Sequence, residues 1–245
     1  MTVVEGIVLP KKKVPAITSN PKRLIIYSKP KTGKTSALAG LDNCLMLDFE
    51  KGSDYVEALK IKINSIQELK QVGEQIKAEG KPYKYIAVDT VTALEDLALP
   101  LAAKLYQATP MGRSFTGDNV LTLPNGGGYL YHRQAMEQLL NYIDTLADHI
   151  ILLGHLKDRL ISTPDGKEVS ASEIDLIGKV KNIICAKADA IGLLTRKDNQ
   201  CIINFKTSDT ITCGARPNHL KNQEIVLSEE VNGKLVTYWD KIYVD

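Results

Sequence analysis

Leu24-Ile-Ile-Tyr27 runs directly into Ser28-Lys-Pro-Lys-Thr-Gly-Lys-Thr35. An unbroken apolar run of this length reads as a strand covered on both faces, and the residues from about Lys34 onward read as a helix. The octapeptide between them fits G-x-x-x-x-G-K-[ST] at every defined position except the first, where Ser28 stands for glycine. In such a loop the N–H groups and the helix N-terminus converge on phosphate oxygens, and Gly33 lets the backbone approach without a Cβ. Ser28, Lys29, Pro30, Lys31, Thr32, Gly33, Lys34, Thr35 and Ser36 are therefore the candidate nucleotide-binding residues. Lys34 is expected to place its ammonium on the β and γ phosphates of ATP, and Thr35 to offer its hydroxyl to Mg²⁺. Pro30 removes one possible donor, and Ser28 changes the turn more than the closest phosphate contact.

Further apolar runs alternate with helical patterns: Cys44 to Asp48, Tyr85 to Asp89, Ile150 to Gly154, Ala190 to Thr195 and Cys201 to Phe205. That alternation predicts an α/β fold, a mainly parallel sheet flanked by helices. Ser65-Ile-Gln-Glu68 is a capping box, with Ile66, Leu69 and Ile76 near one helical face and Gly80 as the stop. A second helix is predicted from about Tyr129 to Leu146. Two stretches read as irregular and polar, Gln107 to Gly128 and Lys157 to Lys181, the latter carrying Pro164-Asp165-Gly166. Gly6 to Pro21 holds three prolines and the run Lys11 to Lys13, so residues 1–21 are expected to form an arm, and 22–245 the core with a β-rich C-terminal extension.

The 245 residues are 44% hydrophobic, 24% charged and 6% aromatic, a globular balance that excludes collagen-like, coiled-coil and wholly disordered chains. No apolar run approaches the roughly 18 residues of a membrane span, and no basic segment precedes an apolar one at the N-terminus, so a cytoplasmic protein is expected. The four cysteines are scattered, without a C-x-x-C pair, and read as reduced structural thiols. Net charge is +2, with +7 in the first 34 residues and −5 in the rest, which suits an anion-binding end or simply a solvated surface.

Acids at the strand ends extend the site. Tyr85-Ile-Ala-Val-Asp89 delivers a carboxylate to the edge where ligands of such sheets bind, making Asp89 the candidate magnesium acid, with a helix cap as the plainer reading. Asp48-Phe49-Glu50 puts two more acids there, and Glu50 is the candidate to orient or deprotonate the attacking water, unless it is only a surface acid. Ile150 to Gly154 leads to His155, placed either to touch the γ phosphate or to cap the strand.

Ser28 to Thr35, Leu47-Asp-Phe-Glu50, Val88-Asp-Thr-Val-Thr-Ala-Leu94 and Leu153-Gly-His-Leu156 together resemble the nucleotide-binding core of RecA-like recombinases. More narrowly, Gly178-Lys-Val-Lys181, Asp189 and Gly214-Ala-Arg216 resemble short phage-encoded RecA-like ATPases grouped as single-strand annealing or recombination proteins. The resemblance covers about residues 22 to 220, with Ser28 for the first glycine, His155 where bacterial relatives carry glutamine, and no large C-terminal DNA-gathering domain. It implies a Mg²⁺-dependent ATPase acting on single-stranded DNA in recombination, annealing or repair, in a host cytoplasm. It also implies assembly into a homo-oligomer or filament, with a single-strand binding protein as a further partner. Glu50 is then the catalytic base, His155 the γ-phosphate sensor, and Arg216 the choice for a phosphate contact made in trans, with a structural pairing as its alternative. Arg113, Lys157, Arg159, Lys179 and Lys181, on the two polar stretches, become candidate DNA contacts. The competing reading is an ATP-switched adaptor or loader for a replication protein, without direct DNA binding.

Overall fold

In the computed structural model, which describes residues 9–16, 18–162 and 166–244, the apolar run lies inside β1 (Arg23–Ser28), and all six of its residues are buried. The chain continues through α1 (Lys34–Ala39), β2 (Cys44–Asp48), β3 (Lys60–Lys62), α2 (Ile66–Ala78), β4 (Tyr85–Asp89), α3 (Val91–Gln107) and α4 (Tyr129–Ile143). It then forms β5 (His149–Ser162), β6 (Glu168–Ile174), α5 (Val180–Lys187), β7 (Ala190–Lys197), β8 (Gln200–Asn204), β9 (Gly214–Ala215), β10 (Glu224–Val231) and β11 (Lys234–Thr237). The sheet order is β11-β10-β8-β7-β1-β5-β4-β2-β3, and the strands from β7 to β3 in that order are parallel. This is the α/β architecture that the sequence predicts, a mainly parallel sheet flanked by helices.

Alternation along β1 sorts its side chains between two cores, because successive residues of a strand face opposite ways. Ile25 and Tyr27 join α2, α3, α4 and α5 through Leu69, Leu94, Met136, Leu140 and Ile184. Leu24 and Ile26 join Ala37 and Leu38 of α1, with Phe205 and Trp239 beyond them. Each of these β1 aliphatic side chains is at most 1% exposed and contributes about 1.5–3 kcal/mol by burial.

Local signals act as expected at α2. Ser65 caps it by accepting from the Glu68 N–H (3.1 Å), and the Glu68 carboxylate reaches back to the Asn64 N–H (2.7 Å). Gly80, at φ 76°, ends it with Lys81 N–H donating to the Ile76 carbonyl (2.8 Å). The stretch 107–128 is irregular but packed. Val120 is fully buried, and a Cβ on Gly128 would lie 1.7 Å from the Val120 carbonyl oxygen.

The polar stretch from Lys157 to Lys181 is not a loop. β5 continues to Ser162 and pairs antiparallel with β6 as a two-stranded ribbon, and α5 begins at Val180. Lys157, Asp158, Arg159 and Leu160 are largely solvated, so no burial imposes an apolar alternation; backbone pairing and cross-strand charges hold the ribbon instead. The turn residues Pro164 and Asp165 lie outside the described residues, as do residues 1–8 and 17 of the expected arm. Residues 9–16 and 18–22 carry no helix or strand, and Asn20 anchors them by exchanging two hydrogen bonds with the Val244 backbone (2.6 and 2.9 Å).

α1 is only six residues long and is finished by the far end of the chain. The Trp239 indole N–H donates to the Ala37 carbonyl (2.8 Å), and the Thr237 hydroxyl to that of Gly40 (3.0 Å), satisfying carbonyls that a helix end leaves unpaired. Trp239→Ala is expected to destabilise the fold by about 3–5 kcal/mol, read from urea unfolding, because it opens a cavity as well as losing a donor. A loss below ~1 kcal/mol would show that α1 does not depend on this clamp.

Candidate active site

Six parallel strands place their carboxyl ends along one edge, where β1 passes into the loop 28–35. Lys31 and Gly33 take left-handed backbone there (φ 63° and 110°), and Gly33 begins α1. A Cβ on Gly33 would lie 3.1 Å from Cys201 Sγ, and that thiol donates to the Thr32 carbonyl (3.1 Å), so the loop is braced from β8. The Lys34 ammonium donates to Ser28 Oγ (2.9 Å) and, more weakly, to the Ser28 and Lys29 carbonyls (3.4 Å each). Ser28 thus holds the lysine at the mouth of the loop with a hydroxyl that the usual glycine lacks. Burial pulls the Lys34 ammonium below its ordinary value, against the opposing fields of Asp89 and Glu50.

Across β5, which separates β1 from β4, the Thr35 hydroxyl donates to Asp89 Oδ2 (2.8 Å). Asp89 is 3% exposed, and its Oδ1 has no hydrogen-bond partner among the described residues. A buried carboxylate oxygen left without a donor is costly alone and suits a cation or its bound water. Thr35 and Asp89 would therefore hold Mg²⁺, which when bound supplies charge neutralisation on the β and γ phosphates. Burial is also the main reason the Asp89 carboxyl is pushed up to about 6; Glu50 and Asp48 add to the rise, while the Thr35 hydrogen bond and Lys34 oppose it.

Glu50 is positioned by its neighbours on both sides. Its N–H donates to the Asp89 carbonyl (3.3 Å), as does that of Phe49 (2.8 Å). Asp48, fully buried, accepts from the N–H groups of Lys51, Gly52 and Ser53 and from the Ser53 hydroxyl, fixing the turn that carries Glu50. The Glu50 carboxylate meets His155 Nε2 directly, while His155 Nδ1 is buried without a partner among the described residues. His155 is in turn tied to α3, its N–H donating to the Thr92 hydroxyl (3.4 Å).

Lys34, Thr35, Asp89, Glu50 and His155 thus meet at one edge, and Arg216 does not. It follows β9, beside the start of β7 at the opposite edge, and donates to Asp189 (3.1 Å) and to the Ala186 carbonyl (2.8 Å). Of the expected DNA contacts, Lys157 pairs with Asp175 (3.2 Å), and Arg159 and Lys181 share Glu173. Arg113 and Lys179 form no ion pair among the described residues.

Two groups escape the sequence reading. Glu95 on α3, 3% exposed, accepts from the Ile177 N–H with both oxygens (3.0 and 3.1 Å) and lies 3.8 Å from the fully buried His132 of α4. Burial pushes the Glu95 carboxyl up to about 7 and lowers the His132 imidazole, so neither is strongly driven to ionise. The available signal was a carboxylate set among Val91, Leu94, Ala98 and Ala102 on an apolar helical face.

The sequence profile of the AAA domain family matches residues 20–217. Among solved structures, a KaiC-like protein from the hyperthermophilic archaeon Pyrococcus horikoshii is 12% identical, with a TM-score of 0.47 over 89% of this chain and 89% of that one. A RadB recombinase is also 12% identical, with a TM-score of 0.46 over 88% of this chain and 90% of its own. No curated protein matches the sequence.

The Asp89 carboxyl binds its proton more tightly folded than unfolded, so its charge opposes folding above about pH 6, and that opposition fades as pH falls toward the ordinary value of 3.8. Asp89→Asn should accordingly raise the Tm at pH 8, by a margin that narrows between pH 7 and pH 4. Added Mg²⁺ should raise the Tm of the natural chain at pH 8 and leave that of the variant unmoved. A Tm difference independent of pH would contradict this.

Proposed function

The chain belongs to the AAA domain family and is an ATPase, and from that premise we propose that it hydrolyses ATP with Mg²⁺ while bound to single-stranded DNA, in recombination, strand annealing or repair. The observation that carries the catalytic part is the bond from Thr35 to Asp89 Oδ2, with Oδ1 beside it unsatisfied among the described residues and Glu50 tethered to the Asp89 backbone. In this reading Lys34 leaves Ser28 for the β and γ phosphates, and Glu50 takes the proton of the attacking water. His155, bonded to Glu50 and to α3, reports occupancy of the site to the ribbon that it begins.

Support for DNA comes from individual cations on the segments that follow α3 and the core of β5, Arg113 and Lys179 above all, since neither forms an ion pair among the described residues. Assembly as a homo-oligomer or filament belongs to the same reading. A contact by Arg216 with a neighbour's nucleotide then requires its pair with Asp189 to open. The adaptor reading draws on a different observation: the ribbon cations Lys157 and Arg159, and Lys181 of α5, are already paired with acids, while Leu160 on the ribbon is 69% exposed, a composition suited to a protein partner. Fluorescence anisotropy with labelled single-stranded DNA across a salt series, with ATP and with ADP, separates the two readings. Affinity that falls with salt supports direct binding, and its absence in every nucleotide state favours the adaptor.

Lys34→Ala should lose tight ATP binding, measured by titration with a fluorescent nucleotide. Glu50→Gln should retain ATP affinity while turnover falls by about 10²- to 10⁴-fold. Near-normal turnover in the glutamine variant would assign the water to another group.

A further inference from the structure

Tyr129 heads α4 with 48% of its surface exposed, an unusual state for a ring held on both edges. A Cβ on Gly126 would lie 3.3 Å from Tyr129 Cδ2, and one on Gly178 would lie 3.2 Å from Cδ1. Both glycines take left-handed backbone (φ 69° and 57°), so each bends its own segment against the ring, one from the stretch before α4 and one from the turn after β6. The ring is thereby fixed on the wall of a cleft of about 340 Å³ lined by Tyr129, Arg133, Ile177, Gly178, Lys179 and Val180. Arg133 lies one turn along α4 from Tyr129. No carboxylate lines the cleft, and neither cation forms an ion pair among the described residues, in contrast to the ribbon cations that Glu173 and Asp175 neutralise.

The floor of this cleft is fastened to the nucleotide site. Ile177 N–H donates to Glu95, and the Thr92 hydroxyl donates to the Asp175 carbonyl (3.3 Å) while accepting from His155. Thr92 and Glu95 occupy the first turns of α3, which begins two residues after Asp89. A shift at Asp89 or His155 therefore reaches Gly178 through the first turns of α3 and a few hydrogen bonds.

We propose that this cleft is a stacking site for one base of single-stranded DNA, with Tyr129 as the platform and Arg133 and Lys179 on the flanking phosphates. The inference rests on the DNA-binding reading above and deepens it. A fixed aromatic face costs little ordering entropy when a base stacks on it, and two unpaired cations beside it attract the backbone; every base offers a π-face, so the site is tolerant of sequence.

The test is binding of fluorescein-labelled oligo-dT by the full chain in the presence of a non-hydrolysable ATP analogue. Tyr129→Ala should weaken binding by about 5- to 150-fold, whereas Tyr129→Phe should stay within about twofold of the natural chain. Arg133→Ala should lower the slope of log affinity against log salt by about 0.7 for each phosphate it no longer neutralises. Because Tyr129→Ala also removes packing, Tyr129→Trp gives an independent reading: its fluorescence should be quenched by oligo-dT, above any change from Trp239. ATPase activity without DNA should persist in all of these variants. If the natural chain binds oligo-dT but Tyr129→Ala binds equally well, or the tryptophan is not quenched, the cleft is not the site although the DNA reading stands. If the natural chain fails to bind oligo-dT in any nucleotide state, both fall.

Discussion

A single hydrogen bond, from the Thr35 hydroxyl to Asp89 Oδ2, joins the first turn of α1, which follows β1, to the end of β4, a strand that is not the neighbour of β1. β5 lies between β1 and β4, which stand about two strand spacings apart, roughly 9–10 Å, so the bond can form only if the chain after β1 folds back over the end of β5. This fixes where the loop lies, how deeply the Asp89 carboxylate is buried, and which residue of β5 comes up beneath the loop. That residue is His155, paired in register with Ser28. The placement of Glu50 follows as well, since its N–H is bonded to the Asp89 carbonyl.

The charges at this edge are held close and incompletely compensated. Among the described residues Asp48 is satisfied by four donors of its own turn, and Asp89 by one hydroxyl on one oxygen only, though both stand at strand ends in the same layer. The difference separates a structural acid from a chemical one. Asp48 has its field absorbed by local N–H groups, while that of Asp89 remains directed outward. Glu50 occupies an intermediate position, bonded to a histidine whose other nitrogen is buried and unpaired among the described residues. His155 engages Oε1 of Glu50, so a water is met by Oε2 unless this contact loosens.

The central strands were legible because parallel strands covered on both faces leave unbroken apolar runs, and the loop 28–35 because phosphate chemistry constrains its residue types. Elements stabilised mainly by backbone pairing were not legible. The β5 half of the ribbon is largely solvated on both faces, so Lys157 to Ser162 reads as polar loop although it is regular strand. Arg216 illustrates a second limit. Its position after Gly214-Ala fitted a family pattern, yet strand β9 pairs antiparallel beside the start of β7 and carries it away from the phosphate edge. Glu95 and His132 illustrate a third, since their contact joins two helices whose approach no spacing rule states.

The closure of α1 by Trp239 bears on the order in which the protein becomes competent. The indole and its acceptor are separated by 202 residues, and an isolated six-residue helix is far shorter than the roughly 12–15 residues at which helices become even marginal in water. During synthesis, residues 24–35 emerge early, but the helix that should present their N–H groups lacks its final contacts until the last strands have left the ribosome. The nascent chain therefore passes through a long period in which the phosphate loop exists as sequence without existing as a site. Tight nucleotide capture is then expected to follow the docking of Trp239 on α1 and not to precede it.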